Sequence, residues 1–329
     1  MESLPKQVQK EESKKQAPST TNKQPAKTTQ KVNKLPKEES KVPVEESKFD
    51  TAPVKTALKP EDSQIFHGSL GNPHWEAPAV TFKSNEVARK GDNYISFSKT
   101  EFKDKPEVLK EKVKLLAEMV KKSELLVAYT GAGISRNAGI ADYASAKNTV
   151  KAGVKTLAQG SYRSAKPTKA HYVITELIKK GHVKHWLQQN HDGLAQKSGC
   201  PQSMVNEIHG SWYDKSNPVV KMSGKLKTEN YECMENWIQL QDMCIAVGSS
   251  LVGMNSDNIV REQIDKFNRS NGKLALGCVI INNQQTQYHL ESQLNIYNDI
   301  DDTFMLLAKE LGIEMAKNPK VYEQKDWIK

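Results

Sequence analysis

Leu125-Leu126-Val127-Ala128-Tyr129 runs without a break into Thr130-Gly131-Ala132-Gly133-Ile134-Ser135. No other stretch of the 329-residue chain constrains its fold as tightly. The apolar run reads as a buried strand, and the glycines after it permit positive φ and close backbone approach. A helix that follows such a turn offers free N–H groups to a phosphate. By spacing alone two readings stand: a phosphate cradle, or a tight connection between a strand and a helix.

Further strands are predicted at 184–188, 243–247 and 278–281, alternating with helices such as 171–180 and 259–268. This is the pattern of an α/β fold with a doubly wound, Rossmann-like parallel sheet. Ligands of such folds bind at the carboxyl ends of the strands, where Gly131, Asn190, Gly248 and Asn282 all fall. They would share one crevice. Upstream, Pro106 opens a helix over 106–123 whose Val108, Leu109, Val113, Leu116 and Met119 recur at helical spacing, with its lysines facing water.

The first sixty residues differ from the rest. They hold 13 Lys, no Arg, 8 Asp+Glu and 7 Pro, a net +5 of the chain's +9, and repeat Glu-Glu-Ser-Lys from Glu11, Glu38 and Glu45. Too few apolar groups are present to offset the entropy of ordering, so 1–62 is expected to be a disordered tail. It is either plain low complexity or a basic segment that lies along an acidic polymer, a microtubule or a nucleic acid. Residues 63–102 read as an irregular arm, with Phe66, Trp75, Phe82, Tyr94 and Phe97 among Gly and Pro. The nucleotide-binding domain is placed at 103–316, with small-domain insertions near 143–165 and 212–235, and a C-terminal tail at 317–329. No apolar run approaches the ~20 residues of a spanning helix, and MESLPKQVQK lacks a secretory apolar stretch, so no membrane partner is expected. Cys200, Cys233, Cys244 and Cys278 form no C-x-x-C pair, which fits neither a disulfide framework nor a four-cysteine zinc site. An intracellular setting follows, cytoplasmic or cytoskeletal, with the nucleus as the alternative.

The string 131–144, GAGISRNAGIADYA, resembles the signature of the sirtuins, NAD-dependent protein deacylases. The resemblance continues in order through Ala165-Lys166-Pro167-Thr168 with His171, Gln189-Asn190-His191-Asp192-Gly193-Leu194, Glu207-Ile208-His209-Gly210-Ser211, Val247-Gly248-Ser249-Ser250-Leu251 and Ile281-Asn282-Asn283-Gln284-Gln285-Thr286. It spans roughly 103–313. It implies that Gly131, Ala132, Gly133 and Ser135 wrap the NAD pyrophosphate, that Gly248 and Ser249 meet phosphate and ribose, and that Asn282 holds the adenosine ribose. Asp142, Tyr143, Gln189 and Ile300 join the cofactor set. Asn190 and Asp192 would position the nicotinamide end, and His209 would act as general base toward a ribose hydroxyl after an acyl-lysine oxygen attacks the ribose carbon. An imidazole with an ordinary pKa near ~6.5 suits that task.

The departures are specific. Ala141-Asp142-Tyr143-Ala144 stands where the family has Pro-Asp-Phe-Arg, so Tyr143 keeps the aromatic cover while the arginine is gone. Arg136 and Arg163 are the candidates to replace it. Ala195 stands where the family has histidine, and the two cysteine pairs of the zinc module are missing, so no zinc is expected. Residues 218–224 loosely resemble the family's substrate-pairing strand, with Met222 and Lys225 in place of Phe and Glu. A peptide would pair there by strand addition. Plain alternatives remain: the glycines serve only the turn, Asn190 and Asp192 cap a helix near Gly193, and His209 is a turn residue. His171, His182, His185 and His191 are expected to do no chemistry, and the cysteines to be ordinary thiols. Two functions follow. One is a zinc-independent NAD-dependent deacylase of lysine in proteins, or an ADP-ribosyl transferase. The other is a catalytically impaired scaffold of the same descent, anchored by its basic tail to an acidic polymer such as the microtubule lattice or chromatin.

Overall fold

The computed structural model describes residues 63–86, 98–141, 157, 162–221, 224–252 and 254–327. The expected tail over 1–62, together with Tyr94, Phe97, Asp142, Tyr143, Ala144 and Met222, lies outside the described residues.

Six parallel strands form one sheet in the order β5-β4-β3-β6-β7-β8. They are β3 (Leu126–Thr130), β4 (Val183–Gln188), β5 (Val205–Glu207), β6 (Met243–Val247), β7 (Gly277–Ile281) and β8 (Leu294–Ile296). The order grows outward in both directions from β3 and reverses between β3 and β6, as in a doubly wound nucleotide fold. The expected fold class is therefore the one found. Strands β5 and β8 are additions to the sequence reading; at three residues each they are too short to show a period.

Successive side chains of each strand enter opposite cores. Leu126, Ala128, Ile245, Val247, Val279 and Ile281 pack against α1 (Pro106–Lys122), α2 (Lys169–Lys179) and α6 (Ile300–Glu310). Val127, Tyr129, Cys244, Ala246, Cys278 and Ile280 pack against α4 (Thr228–Leu240) and α5 (Asn258–Ser270). Burial on both faces explains why the strands read as apolar runs rather than alternating ones.

The described parts of the arm, 63–86 and 98–102, hold more regular structure than their composition implied. β1 (Ala79–Phe82) pairs antiparallel with β2 (Glu101–Lys103), and Phe66, Phe102 and Tyr297 form a ring cluster with centroids 5.3–6.1 Å apart. Phe102 N–H donates to the Asn283 carbonyl at 2.7 Å and Asp104 N–H to that of Tyr297 at 2.6 Å. Here one expectation is corrected. Not all lysines of α1 face water: Lys112 is fully buried and donates to Asp104 Oδ1 at 2.7 Å. Position 112 lies one turn beyond Val108 on the apolar face, and the arm supplies the carboxylate that makes a lysine tolerable there. Rings of Trp75 and Tyr297 flank its ammonium at 5.9 and 5.6 Å.

At the other end, Tyr322 N–H donates to the Lys197 carbonyl at 2.8 Å, which lays the C-terminal segment and its last turn, α7 (Gln324–Trp327), against α3 (Leu194–Lys197). Among the described residues no helix is long and apolar enough to cross a membrane.

Candidate functional site

The loops after β3, β4 and β6 converge where the strand order reverses, and a cleft of about 930 Å³ opens there. Ala132, Gly133, Ser135, Gln189, Asn190, Asp192, His209, Gly248, Ser249, Asn282 and Ile300 all line it. Gly131 sits behind this wall rather than in it, and Asp142 and Tyr143 lie outside the described residues.

The glycines are required by contact more than by torsion. Gly131 has φ −114° and is extended, yet a Cβ on it would stand 2.8 Å from the Gly248 carbonyl oxygen and from Gln189 Oε1. A Cβ on Gly133 would meet Gly248 Cα at 2.7 Å. Gly248 itself takes the left-handed φ of 59°, and a Cβ there would meet Ile134 N at 2.7 Å. Three backbones thus pass where side chains cannot fit. Two details of the sequence reading change. A single 3₁₀ helix, Ala132–Ala138, follows the turn in place of an α-helix. In addition, Gly131 and Gly133 give their N–H groups to the Val247 and Gly248 carbonyls at 2.9 and 2.8 Å, so the two loops are sewn together and those donors do not face the cleft.

Beside the glycines lies a closed polar chain. Asn190 Nδ2 donates to the Gly131 carbonyl at 3.1 Å and to Ser135 Oγ at 3.2 Å; Ser135 Oγ donates to Asp192 Oδ2 at 2.7 Å; Leu194 N–H donates to Asp192 Oδ1 at 3.0 Å. Asp192 therefore caps the short α3 and braces the glycine turn at once. Burial pushes its carboxyl above the usual range, against the pull of these hydrogen bonds.

His209 stands across the cleft. Burial is the main cause that lowers its pKa to about 4, helped by nearby His191 and opposed by a hydrogen bond to the Gln189 backbone. The ring is neutral at ordinary pH, and Nε2 lies 3.3 Å from Ser256 Oγ. Ser256 continues a network. Tyr129 OH donates to Asp257 Oδ1 at 2.7 Å and lies 2.9 Å from Ser256 Oγ; Gln189 Nε2 donates to Tyr129 OH at 2.5 Å; and Ser249 Oγ donates to Gln189 Oε1 at 3.1 Å. Tyr129, Ser256 and Asp257 were missed in the sequence because Tyr129 reads as one more apolar strand residue and the 256–257 turn carries no motif.

Of the two arginines considered, Arg136 lines the cleft and Arg163 does not. Arg163 Nη2 is spent on the Trp212 carbonyl at 2.7 Å, with its guanidinium 5.2 Å from the Tyr213 ring centre. Aromatic cover on this side comes from Tyr162, stacked on Trp212 at 6.0 Å and 16°. Residues 218–221 form no strand, but Val220 N–H donates to the His209 carbonyl at 2.9 Å and Val219 is exposed at the cleft. Thr168 opens α2 with a reciprocal cap to His171, whose buried ring is lowered to about 3. Cys200, Cys244 and Cys278 are buried free thiols and Cys233 is half-buried. Among the described residues no three His, Cys, Asp or Glu side chains gather as a metal site.

Comparison with known proteins fits this geometry. A model of the Sir2 family matches residues 150–221, the span that holds Asn190, Asp192 and His209. The chain is 42% identical over 113 residues to the NAD-dependent protein deacetylase Sirt6 of Drosophila melanogaster, which is 33% of this chain and 36% of that protein. It is 39% identical over 112 residues to the NAD-dependent protein deacetylase sirtuin-7 of Homo sapiens, 33% of this chain and 28% of that one. The matches thus span about a third of the length of these curated relatives. A solved Sir2 complex with a p53 peptide and NAD+ shares the fold, with a TM-score of 0.51 at 22% identity over 61% of this chain and 99% of that one.

Proposed function

We propose that the chain is a protein of the Sir2 kind, as its match to that family's model over 150–221 and its likeness to Sirt6 support, that its cleft takes NAD together with an acyl-lysine side chain of a protein, and that His209 serves deacylation as the general base. One observation carries this reading: Gly133 and Gly248, packed too closely for side chains, share the wall of one cleft with Asn190, Asp192 and His209. Its volume of about 930 Å³ suits a dinucleotide with a side chain beside it.

Gly133 and Gly248, whose own N–H groups go to the Gly248 and Ile281 carbonyls, would let the diphosphate approach closely beside Ser249, while Asn282 and Ile300 would take the adenosine end and Asn190 the carboxamide end. The last assignment has a chemical basis. Nδ2 of Asn190 is committed to Gly131 and Ser135, which fixes the amide so that Oδ1 is presented as an acceptor to a carboxamide N–H. Bound NAD would supply an electrophilic ribose carbon with hydroxyls beside it. The chain supplies the proton acceptor. With one ring nitrogen held to the Gln189 backbone, Nε2 of His209 is the acceptor, and a pKa of about 4 keeps it unprotonated at the expense of base strength.

Zinc independence draws support from the residues on the C-terminal side of His209. Asn217 Nδ2 and Asn230 Nδ2 both donate to the Glu207 carbonyl, at 3.0 and 3.1 Å, and Ser211 N–H donates to the Asn217 carbonyl at 2.8 Å. An asparagine clasp holds the segment that a metal module would otherwise anchor. Residues 1–60, at net +5, would add a salt-dependent contact to an acidic polymer, independent of the cleft.

Incubating the protein with NAD and acetyl-lysine peptides, followed by mass spectrometry, tests the reading. Loss of the acetyl mass in wild type but not in His209→Ala supports it. ADP-ribose added to the peptide would favour transfer, and no change to either would favour the scaffold.

A further inference from the structure

A second cavity, of about 650 Å³, lies on the far side of α3, between that helix, the 200–203 turn, the 214–216 turn and the C-terminal segment. Its polar lining mixes two carboxylates with amide, hydroxyl and indole groups; Asp214 Oδ1 accepts from Ser216 N–H and Oγ at 2.8 Å each and Asp326 Oδ2 from Glu323 N–H at 3.0 Å, which leaves one oxygen of each without a partner among the described residues. Asp214 and Asp326 contribute carboxylates, and Gln196 and Gln202 contribute amides. Tyr322 and Trp327 contribute rings. No Lys or Arg lines it among the described residues, although the chain as a whole carries +9.

Two buried atoms in its wall lack hydrogen-bond partners among the described residues. Gln196 is fully buried; its Nε2 donates to Gln202 Oε1 at 3.1 Å, which leaves Gln196 Oε1 as an unmatched acceptor. Trp327 Nε1 is an unmatched donor. Behind the two amides, outside the lining itself, lies the Glu207 carboxyl, which takes hydrogen bonds from Ser211, Gln202 and Gln196. Unmatched atoms cost roughly 1–3 kcal/mol each when left unpaired, so a wall that keeps them is shaped for something that pairs them.

We propose that this cavity is a binding site for a lysine side chain presented on a peptide, separate from the cleft. The ammonium group answers the acceptors and the carboxylates, and a peptide carbonyl answers Trp327 Nε1. An alkylammonium also suits the Tyr322 ring, which already takes the chain's own Lys320 at 4.4 Å. The site sits one residue from the cleft's Asp192: a Cβ on Gly193 would meet Trp327 at 3.1 Å and Tyr213 at 2.9 Å.

Glu207 gives the site a pH signature. Burial is the largest cause that raises its carboxyl to about 7; Asp192 also raises it, while Ser211, Gln202 and Gln196 lower it through hydrogen bonds. Glu207 lies behind Gln196 and Gln202, so an ammonium bound in the cavity acts on it across those amides and favours the ionised form. Binding then releases protons below pH 7, and affinity is higher at pH 8 than at pH 6.

The test is calorimetric titration of the full chain at low salt with the blocked, unacylated peptide acetyl-Gly-Lys-Gly-amide, and with spermidine as an ammonium that lacks the carbonyl. The expected result is saturable peptide binding, tighter at pH 8 than at pH 6, weakened tenfold or more in Asp214→Asn/Asp326→Asn and in Trp327→Ala, and unchanged in His209→Ala. Asp214 is half-exposed on a turn and Asp326 is exposed on α7, and asparagine keeps an oxygen for the local N–H donor that each accepts from, so a circular dichroism melt identical to wild type separates lost binding from lost folding. Peptide affinity unchanged in those variants, lost in His209→Ala, or equal to that of spermidine would overturn the proposal.

Discussion

At Gly248 three demands meet in one residue: a left-handed φ of 59°, passage against Gly133, and a place in the cleft wall. Gly248→Ala has to move the β3 or β6 loop, and NAD affinity measured by calorimetry is expected to fall by roughly tenfold or more, which is about 1.4 kcal/mol per decade. Unchanged affinity would show that the cradle does not touch the cofactor. His209 is a residue of a different kind, since its role depends on charge. The base role proposed for it needs the neutral form, and that form dominates above about pH 4. The His209 limb of a kcat/KM profile for deacylation is therefore expected to stay flat from pH 8 down to about pH 5 and to fall below that. A midpoint near 6.5 would mean that the ring is solvated during turnover. Most residues of the site were legible in the sequence because glycine turns and ordered motifs survive without neighbours. The Gly131–Gly248 contact was not, since two residues 117 positions apart meet only once the sheet is built.

The arm and α1 act together on the cleft. Asp104 takes Lys112 Nζ on Oδ1 and Tyr297 N–H on Oδ2, at 2.7 and 2.9 Å, and Phe102 holds Asn283. Residues 102–104 therefore hold Asn283 and Tyr297, within or next to the two stretches of the cleft wall, 282–284 and 298–300, that are proposed to take the adenosine end. Lys112→Met strands a buried carboxylate and is expected to cost about 3–5 kcal/mol in urea unfolding, whereas Asp104→Asn/Lys112→Met recovers much of that loss. A single variant as stable as wild type would deny the pair its role. Helical spacing placed α1 to within a residue of its end, but a lysine on the apolar face cannot be told from a solvated one until its partner, eight residues upstream, is seen to fold back. The aromatic residues of the arm were a fair sign of docking; the short β1–β2 pair was not, because three- and four-residue strands carry too little pattern.

Across the whole molecule the order of six parallel strands fixes where chemistry is possible, at the reversal between β3 and β6. Alternating strands and helices were enough to place that crevice in advance. Stability also has a molecular-scale pH dependence. His185, buried against Trp237, has its pKa lowered to about 4, mainly by burial. A ring whose folded pKa lies below 6.5 contributes stability that is complete above 6.5 and is lost as pH falls toward 4, at about 1.4 kcal/mol per unit. His185→Gln is therefore expected to flatten the decline of unfolding free energy between pH 6.5 and 4 by that slope relative to wild type; parallel curves would refute the burial of a neutral ring. Glu207, raised to about 7, works in the opposite sense and loses its contribution as pH rises from 4.5 through 7.

The cleft joins a glycine cradle to a neutral histidine, and a single assay asks whether that union is an enzyme: release of nicotinamide from NAD by the purified full chain, with and without acyl-lysine peptides, in wild type and His209→Ala. Peptide-dependent release that disappears in His209→Ala, with NAD affinity retained, is the expected result. Release that is absent from a folded wild-type protein, or that is equal in the variant, would contradict the assignment of His209 and of the cleft as a site of deacylation.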